Sequence, residues 1–329
     1  MTKQIHKVSR RSFLAGCALS PLTVAAGARE APDSEDAYKK ALVVSDISHP
    51  GLESLKQAGF AGVETREADA APEKAAEIRK IAEEMGIKIH SVMRGWVNLD
   101  SQKKSEVEAS LEKVKNSLRA AEAYGADAVL VVPCRVGGMD IPAPWEFDIE
   151  FNPDTLHVKR VVKGDNEPYR EYIKAQNHAT DATREAIKQL IPAAEKHGVV
   201  ICLENVWNNL WVTPQLFAAY VRSFKSPWVQ AYFDIGNHVK YDKPQNYVRT
   251  LDGLVERVHV KDFRLKSDGH GGEFVPICNG SVDFPAVIDT LREAGYEGWM
   301  TIEGKRGLDL SQLSRRLDAI LAGKSGSSY

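Results

Sequence analysis

The chain has 329 residues, of which 43% are hydrophobic and 27% are charged, a balance typical of a globular protein. Its 43 basic and 45 acidic residues leave a formal net charge of −2. Such a surface has no general attraction for phosphate backbones or anionic lipid, so we expect no nucleic-acid partner. The length suits one large barrel or two smaller domains.

The N-terminal segment has the features of an export signal. A polar and basic stretch ends in Arg10-Arg11, an apolar stretch follows, and small residues precede the expected cleavage site. We expect residues 1–28 to be a twin-arginine signal peptide that directs the protein to the periplasm, and 29–38 to be a linker. The apolar stretch is too short, and too broken by Pro21, to form a stable membrane span.

The four cysteines point to two different roles. The residues before Cys17 also resemble a lipoprotein cleavage box, so lipidation of Cys17 is the alternative to simple cleavage. Cys134, Cys202 and Cys278 cannot complete a disulfide framework, and two of them lie in or at the ends of apolar strands. We expect these three to be buried free thiols.

From residue 39 onward, short apolar segments alternate with amphipathic helical segments. The predicted strands cover residues 41–45, 62–64, 87–92, 128–132, 199–203, 229–233, 255–260 and 299–302. Between them apolar residues recur at steps of three and four, which is typical of helices with one buried face. Pro192 should kink or shorten the helix before the fifth strand.

Eight strands that are apolar throughout predict a closed parallel barrel with helices outside, the single (β/α)₈ TIM barrel of the α/β class. An open doubly wound sheet is disfavoured because no Gly-x-Gly-x-x-Gly follows the first strand. The barrel should span residues 39–322, followed by a polar tail at 323–329. Residues 133–175 form an insertion, a candidate lid or contact surface of a homo-oligomer.

Four consecutive predicted strands end in a residue that is able to bind a metal ion. These residues are Glu204, Asp234, His259 and Glu303. Catalytic residues of TIM barrels lie at the carboxyl ends of strands, and a carboxylate buried there is costly unless a cation or hydrogen bonds satisfy it. Three carboxylates and one imidazole favour one divalent ion, Mn²⁺ or Mg²⁺, with Co²⁺ or Zn²⁺ as alternatives.

The residues around these ligands also form the motifs of a known family. The motifs are Leu203-Glu204-Asn205, Phe233-Asp234-Ile235-Gly236-Asn237, His259-Val260-Lys261-Asp262 and Gly295-Tyr296-Glu297-Gly298. Over residues 40–321 the chain resembles the xylose isomerase-like TIM-barrel superfamily of sugar isomerases and epimerases. The resemblance implies that the four ligands hold one metal ion. It also implies that Glu204 and Glu303, on opposite sides of the substrate, exchange protons with carbon.

The chain departs from the ketose 3-epimerases of that superfamily at positions that contact substrate. Leu210 stands where they carry a second Glu, Asn237 where they carry a His, and Leu265 where they carry an Arg. Substrate contacts are therefore not carried over from those enzymes.

Other polar and aromatic residues near strand ends are candidates for substrate contacts. They are His90, Arg94, Trp207, His238, Lys261 and Arg264. Packing at a strand end or in a loop is the alternative role for His90, Arg94 and Trp207. Lys261 is expected to point away from His259 and to reach the site only from the end of its strand.

The ligand set predicts a metal-dependent sugar isomerase or epimerase. A metal on the sugar oxygens stabilises the enediolate that forms when a carbon next to a carbonyl loses its proton, and two carboxylates serve as base and acid. The alternative is a lyase or dehydratase, in which β-elimination from a keto-sugar or keto-glycoside follows the same step. Export favours a sugar without phosphate.

An endonuclease of this fold would need a basic groove and more than nine histidines. A non-catalytic sugar-binding protein would not need all four ligands.

Overall fold

A computed structural model describes residues 38–304 and 307–324. Its strands are β1 (Tyr38–Val44), β2 (Gly62–Thr65), β3 (Lys88–Trp96), β4 (Ala128–Val132), β5 (Glu150–Phe151), β6 (Val158–Arg160), β7 (Val200–Glu204), β8 (Val229–Asp234), β9 (Val255–Val260), β10 (Asp262–Leu265), β11 (Gly272–Val275) and β12 (Gly298–Ile302). The predicted signal peptide and almost all of the linker lie outside the described residues.

Eight of these strands close into a parallel barrel in the order β1, β12, β9, β8, β7, β4, β3, β2. The ring closes because β1 pairs in parallel with both β2 and β12. This topology confirms the predicted single TIM barrel. The remaining strands form two antiparallel hairpins, β5 with β6 and β10 with β11, at the carboxyl end of the barrel strands.

Helices surround the barrel. They are α1 (His49–Gln57), α2 (Pro72–Glu84), α3 (Lys104–Tyr124), α4 (Arg170–His197), α5 (Pro214–Arg222), α6 (Pro244–Thr250), α7 (Phe284–Glu293) and α8 (Leu310–Leu321). Gly125 and Gly198 end α3 and α4 in the left-handed conformation, with φ of 73° and 65°. Among the described helices, none combines the length and the hydrophobicity that crossing a bilayer requires.

The core has two layers because the barrel strands bury both faces. The outer layer joins strands and helices through residues such as Val63, Leu118 and Leu190. The inner layer fills the barrel and consists of Val43, Met93, Ala128, Leu130, Val132, Val200, Cys202 and Tyr232. Each fully buried aliphatic side chain contributes about 1.5–3 kcal/mol to stability. Cys134 and Cys202 are buried free thiols, as predicted, whereas Cys278 is only half-buried.

The segment after β4 differs from the prediction. It contains a short hairpin, and α4 begins at Arg170, inside the predicted insertion, so that the irregular part is shorter. Pro192 does not shorten α4, which continues to His197. The buried face of α4, including Leu190 and Ala194, offsets the loss of one backbone hydrogen bond at the proline.

Candidate metal centre

The four predicted ligands converge at the carboxyl end of the barrel. One ligand atom from each of Glu204, Asp234, His259 and Glu303 lies within 4.8 Å of the others. Glu204 ends β7, Asp234 ends β8, His259 lies in β9, and Glu303 directly follows β12. These four strands are neighbours in the barrel, so the strand order alone brings the side chains together.

His259 is held with one ring nitrogen towards the centre. Its Nδ1 lies 3.4 Å from Glu204 Oε1, 3.7 Å from Glu303 Oε2 and 3.8 Å from Asp234 Oδ2. Its Nε2 lies 2.7 Å from Glu64 Oε2, and Ser91 Oγ donates to Glu64 Oε1 at 2.7 Å. The pair of Ser91 and Glu64 therefore fixes the orientation of the imidazole ring.

Glu64 contacts the candidate centre through His259, and the sequence analysis missed it. It lies in β2, where all four residues are buried, and its own exposure is 0%. A carboxylate inside a fully buried strand was the available signal, because such a group needs a partner. That signal could not identify the partner, since His259 is 195 positions away in the chain.

Asp234 presents a single oxygen to the centre. Its Oδ1 accepts hydrogen bonds from the backbone N–H groups of Gly236 at 2.8 Å and Asn237 at 2.7 Å. The Asn205 side chain holds the same strand end, because its Oδ1 accepts from Asp234 N at 2.7 Å and its Nδ2 donates to Asp234 O at 2.9 Å. Asp234 Oδ2 is buried and accepts no hydrogen bond, and the Lys261 ammonium lies 3.1 Å from it, so this oxygen faces positive charge.

Lys261 also enters the centre, which corrects the prediction that it points away from His259. Its ammonium contacts Glu303, lies 3.1 Å from Asp234 Oδ2, and donates to Asn237 Oδ1 at 3.0 Å. The contact with Asp234 is an ion pair. Side chains two positions apart on a strand share a face, so Lys261 follows His259 into the barrel.

Asn237 links Lys261 to Glu204. Its Nδ2 donates to Glu204 Oε1 at 3.2 Å and to Asn205 O at 3.0 Å, while its Oδ1 accepts from Lys261. This is a position where the chain departs from the ketose 3-epimerases. Here the amide orients one carboxylate and one ammonium group at once, because it can donate and accept.

Burial and charge separate the pKa values of the two glutamates. Burial raises the pKa of Glu204 to about 7, although the hydrogen bond with His259 opposes the rise. Burial would also raise the pKa of Glu303, but the charges of His259 and Lys261 outweigh it and hold the pKa at about 2. Glu303 is therefore ionised at neutral pH, while Glu204 can gain and lose a proton there.

The pKa of His259 rises to about 10. Burial alone would lower it, but the carboxylates of Glu64 and Glu204 stabilise the imidazolium more strongly. In the protein without a bound ion, His259 therefore carries a proton at neutral pH. Any metal ion that binds Nδ1 must displace a proton from the ring.

A cavity of about 310 Å³ opens beside the four ligands. It is lined by Arg66, Met93, Arg94, Gly95, Trp96, Leu130, Val132, Glu204, Val206, Lys261 and Glu303. Glu204 and Glu303 thus reach the same space as two arginines and an indole ring. A concave site with a few converging polar groups is typical of small-molecule binding.

Two of the six predicted substrate contacts, Arg94 and Lys261, line this cavity, and His90 does not. The His90 ring is fully buried, stacks on Trp299 with centroids 4.5 Å apart, and lies 3.0 Å from Thr301 Oγ1. The prediction placed His90 near the end of its strand. β3 instead continues to Trp96, so His90 lies deeper in the barrel.

The other three predicted contacts are not among the cavity-lining residues, and lie in the loops after β7 and β8 and on β10. The Trp207 ring packs against Phe263 and Phe274, and Lys240 lies over it. His238 packs against Tyr241 and Tyr247, with Nε2 3.1 Å from the Val206 carbonyl. Arg264 is exposed on β10 and donates to Asn279 O at 3.0 Å. Each of the three side chains has partners of its own there, and its contact with substrate stays a prediction.

Comparisons with known proteins identify relatives of the barrel. A family model described as xylose isomerase-like TIM barrel matches residues 52–320. Over 135 residues the chain is 31% identical to an L-ribulose-5-phosphate 3-epimerase of Escherichia coli O1:K1, covering 40% of this chain and 45% of that protein. The chain thus matches less than half the length of this curated relative.

Two solved structures share the fold over nearly their whole length. A D-tagatose 3-epimerase-like protein has a TM-score of 0.66 at 19% identity, covering 86% of this chain and 97% of that one. A 3-keto-D-glucoside 4-epimerase from Escherichia coli has a TM-score of 0.63 at 17% identity, covering 87% and 99%. At such identities the likeness concerns the fold. Because the family model extends from α1 to α8 and includes all four converging side chains, the chain belongs to the xylose isomerase-like TIM-barrel family.

Proposed function

We propose that the protein is a metal-dependent sugar isomerase or epimerase that removes a proton from a carbon next to a carbonyl group. The observation that carries the proposal is the position of Glu204 and Glu303. Both belong to the cluster of candidate ligands, and both line the adjoining cavity. Two carboxylates that reach one small-molecule site can serve as the base and the acid of a proton transfer.

The four converging residues fit a divalent ion. Asp234 Oδ2 is buried without a hydrogen bond, and His259 Nδ1 faces the three carboxylates while Glu64 holds the other ring nitrogen. We propose Mn²⁺ or Mg²⁺ because this hard, oxygen-rich set suits them, with Co²⁺ or Zn²⁺ as alternatives. When bound, the ion would polarise the sugar carbonyl and stabilise negative charge on its oxygen.

The side chains of the protein would divide the remaining work. Glu303 lines the cavity beside the Lys261 ammonium and, as a carboxylate, can accept the proton from carbon. Glu204 lines the same cavity and can return a proton to carbon. The Lys261 ammonium, fixed by Asn237, can donate to a sugar oxygen that lies beside Glu303.

We further propose a substrate without a phosphate group, unlike the substrate in the name of the Escherichia coli relative. Both arginines that line the cavity already have carboxylate partners. Arg66 lies 3.6 Å from Glu303, and Arg94 lies 2.5 Å from Asp69. A phosphate site normally offers cationic groups or backbone N–H groups that have no such partner.

Proton exchange with solvent tests the proposed reaction. The Mn²⁺-loaded protein is incubated in D₂O with a panel of free ketoses and keto-glycosides, and the sugars are followed by NMR. Deuterium at the carbon next to the carbonyl supports the proposal, and an unsaturated sugar with a released alcohol would instead identify the lyase. Asp234→Asn serves as the control, because it weakens the ligand set and leaves the cavity lining intact. A panel without any deuterium incorporation would contradict the proposal.

We also propose that the protein is exported through the twin-arginine segment at Arg10-Arg11. This segment lies outside the described residues, so support comes from the order of its basic, apolar and small-residue parts. N-terminal sequencing of the protein recovered from the periplasm should begin near Arg29. A mature chain that begins at Met1 would contradict export, and a lipidated Cys17 would identify a lipoprotein.

A further inference from the structure

Trp96 lies at the cavity with half of its surface exposed. Its exposure is 49%, and among the described residues Trp145, at 48%, is the other large hydrophobic residue exposed to this degree. Trp96 lines the cavity together with Glu204 and Glu303, whereas Trp145 stacks on His270 and is not among the lining residues. A half-exposed indole ring that lines a cavity is available to stack on a ring of a bound molecule.

An irregularity in β3 turns this side chain towards the cavity. Met93 pairs with Leu130, but the next pairs along the strands are Gly95 with Val131 and Trp96 with Val132. Side chains an odd number of residues apart on a regular strand face opposite sides, so Met93 and Trp96 could not both line one cavity. The extra residue, Arg94, restores the alignment, and both Met93 and Trp96 are among the residues that line the cavity.

Gly95 makes the bulge possible. Its φ of 67° lies in the left-handed region, which glycine adopts without strain, and nothing lies within 4 Å of the position of an added Cβ. Backbone conformation, and not crowding, therefore requires the glycine. Bulges near active sites commonly redirect a side chain, and here the redirected side chain is Trp96.

The neighbours of Trp96 suit a sugar or aryl ring. The Arg94 guanidinium is held by Asp69 at 2.5 Å, and its side chain is 15% exposed at the cavity wall. The Arg135 guanidinium lies 5.8 Å from the centroid of the indole ring. An indole face packs against a flat ring, while arginine N–H groups donate to hydroxyl oxygens.

We propose that Trp96 forms an outer subsite for a second ring, so that the substrate is a keto-glycoside whose keto-sugar lies at Glu204 and Glu303. This inference rests on the proposed function, because it takes the glutamates as the reacting end of the cavity. The second ring, a sugar or an aryl group joined through the glycosidic oxygen, would stack on Trp96. Half of the indole surface is exposed and so is available to this ring.

Binding of unreactive glycosides tests the subsite without requiring turnover. The probes are methyl β-D-glucoside, phenyl β-D-glucoside and cellobiose, titrated into the Mn²⁺-loaded protein by calorimetry. We expect the wild type to bind phenyl glucoside or cellobiose about three- to tenfold more tightly than methyl glucoside, the range expected for one aromatic contact. The preferred probe distinguishes an aryl ring from a second sugar.

Three variants complete the test. Trp96→Ala should reduce the preference for two-ring probes to near one, and Trp96→Phe should retain part of it. Trp145→Ala is the matched control, since it removes an equally exposed tryptophan from outside the cavity lining, and it should keep the full preference. If Trp96→Ala keeps the preference, or the wild type has none, the subsite is refuted and the proposed function stands. If the wild type binds none of the probes, the proposed sugar site fails and the subsite fails with it.

Discussion

Replacing Glu64 by glutamine removes one negative charge beside His259 and preserves the shape of the side chain. Glutamine can still accept from His259 Nε2 through its carbonyl, and its amide can donate to Ser91 Oγ in place of the present bond. The substitution leaves no cavity, so it isolates the electrostatic contribution of Glu64. The altered property is the basicity of the ring nitrogen that faces the centre.

The expected loss of Mn²⁺ affinity follows from the burial of the contact between Glu64 and His259. Loss of a hydrogen-bonding partner behind a metal-binding histidine typically weakens metal affinity by about 10- to 100-fold, or about 1.4–2.7 kcal/mol. Glu64 and His259 are both 0% exposed, so solvent does not screen the 2.7 Å contact between them. Glutamine keeps the hydrogen bond, and a lower pKa of His259 eases displacement of the ring proton, so we expect Glu64→Gln to weaken Mn²⁺ binding by about tenfold, at the lower end of that range.

Calorimetric titration with Mn²⁺ measures this change directly, and turnover at saturating Mn²⁺ should recover most of the wild-type value. Asp262→Asn is the control, because Asp262 is also a buried carboxylate, but it accepts hydrogen bonds from the backbone N–H groups of Phe263 and Gly280. That variant should keep wild-type Mn²⁺ affinity. A Glu64→Gln protein that binds Mn²⁺ within twofold of the wild type would refute the reasoning.

Three further predictions concern the same centre. Mn²⁺ affinity should rise with pH, because the ion displaces the proton of His259, whose pKa is about 10, and below pH 7 also that of Glu204, whose pKa is about 7. Titration in buffers of different ionisation enthalpy should count about one released proton above pH 7 and two below it, and zero release would contradict the assignment. Glu204→Gln and Glu303→Gln should each lower kcat by about 100-fold or more, with a smaller change in sugar binding measured by calorimetry. Lys261→Met should tighten Mn²⁺ binding by about tenfold, because a positive charge leaves the centre, and should still lower kcat. Weaker Mn²⁺ binding by that variant would show that Lys261 has a structural role.

The sequence by itself determined the barrel and the four candidate ligands, because both depend on local patterns. Each barrel strand is a short apolar segment, and a polar residue at the end of such a segment is recognisable without knowledge of its partners. Glu204, Asp234, His259 and Glu303 follow this pattern on consecutive strands, and strand order then requires them to meet. The predicted convergence is therefore confirmed, while the binding of an ion there is still a prediction.

Only the tertiary structure decided the contacts that depend on depth, register and burial. Glu64 supports His259 because closure of the barrel brings β2 opposite β9, a contact between residues 195 positions apart. His90 lies below the cavity because β3 continues through its bulge, which also places Trp96 at the mouth. Pro192 remains inside α4 because the helix packs on the barrel. In each case the stabilising free energy comes from contacts with residues that are distant in the chain. Local sequence patterns do not contain those contacts.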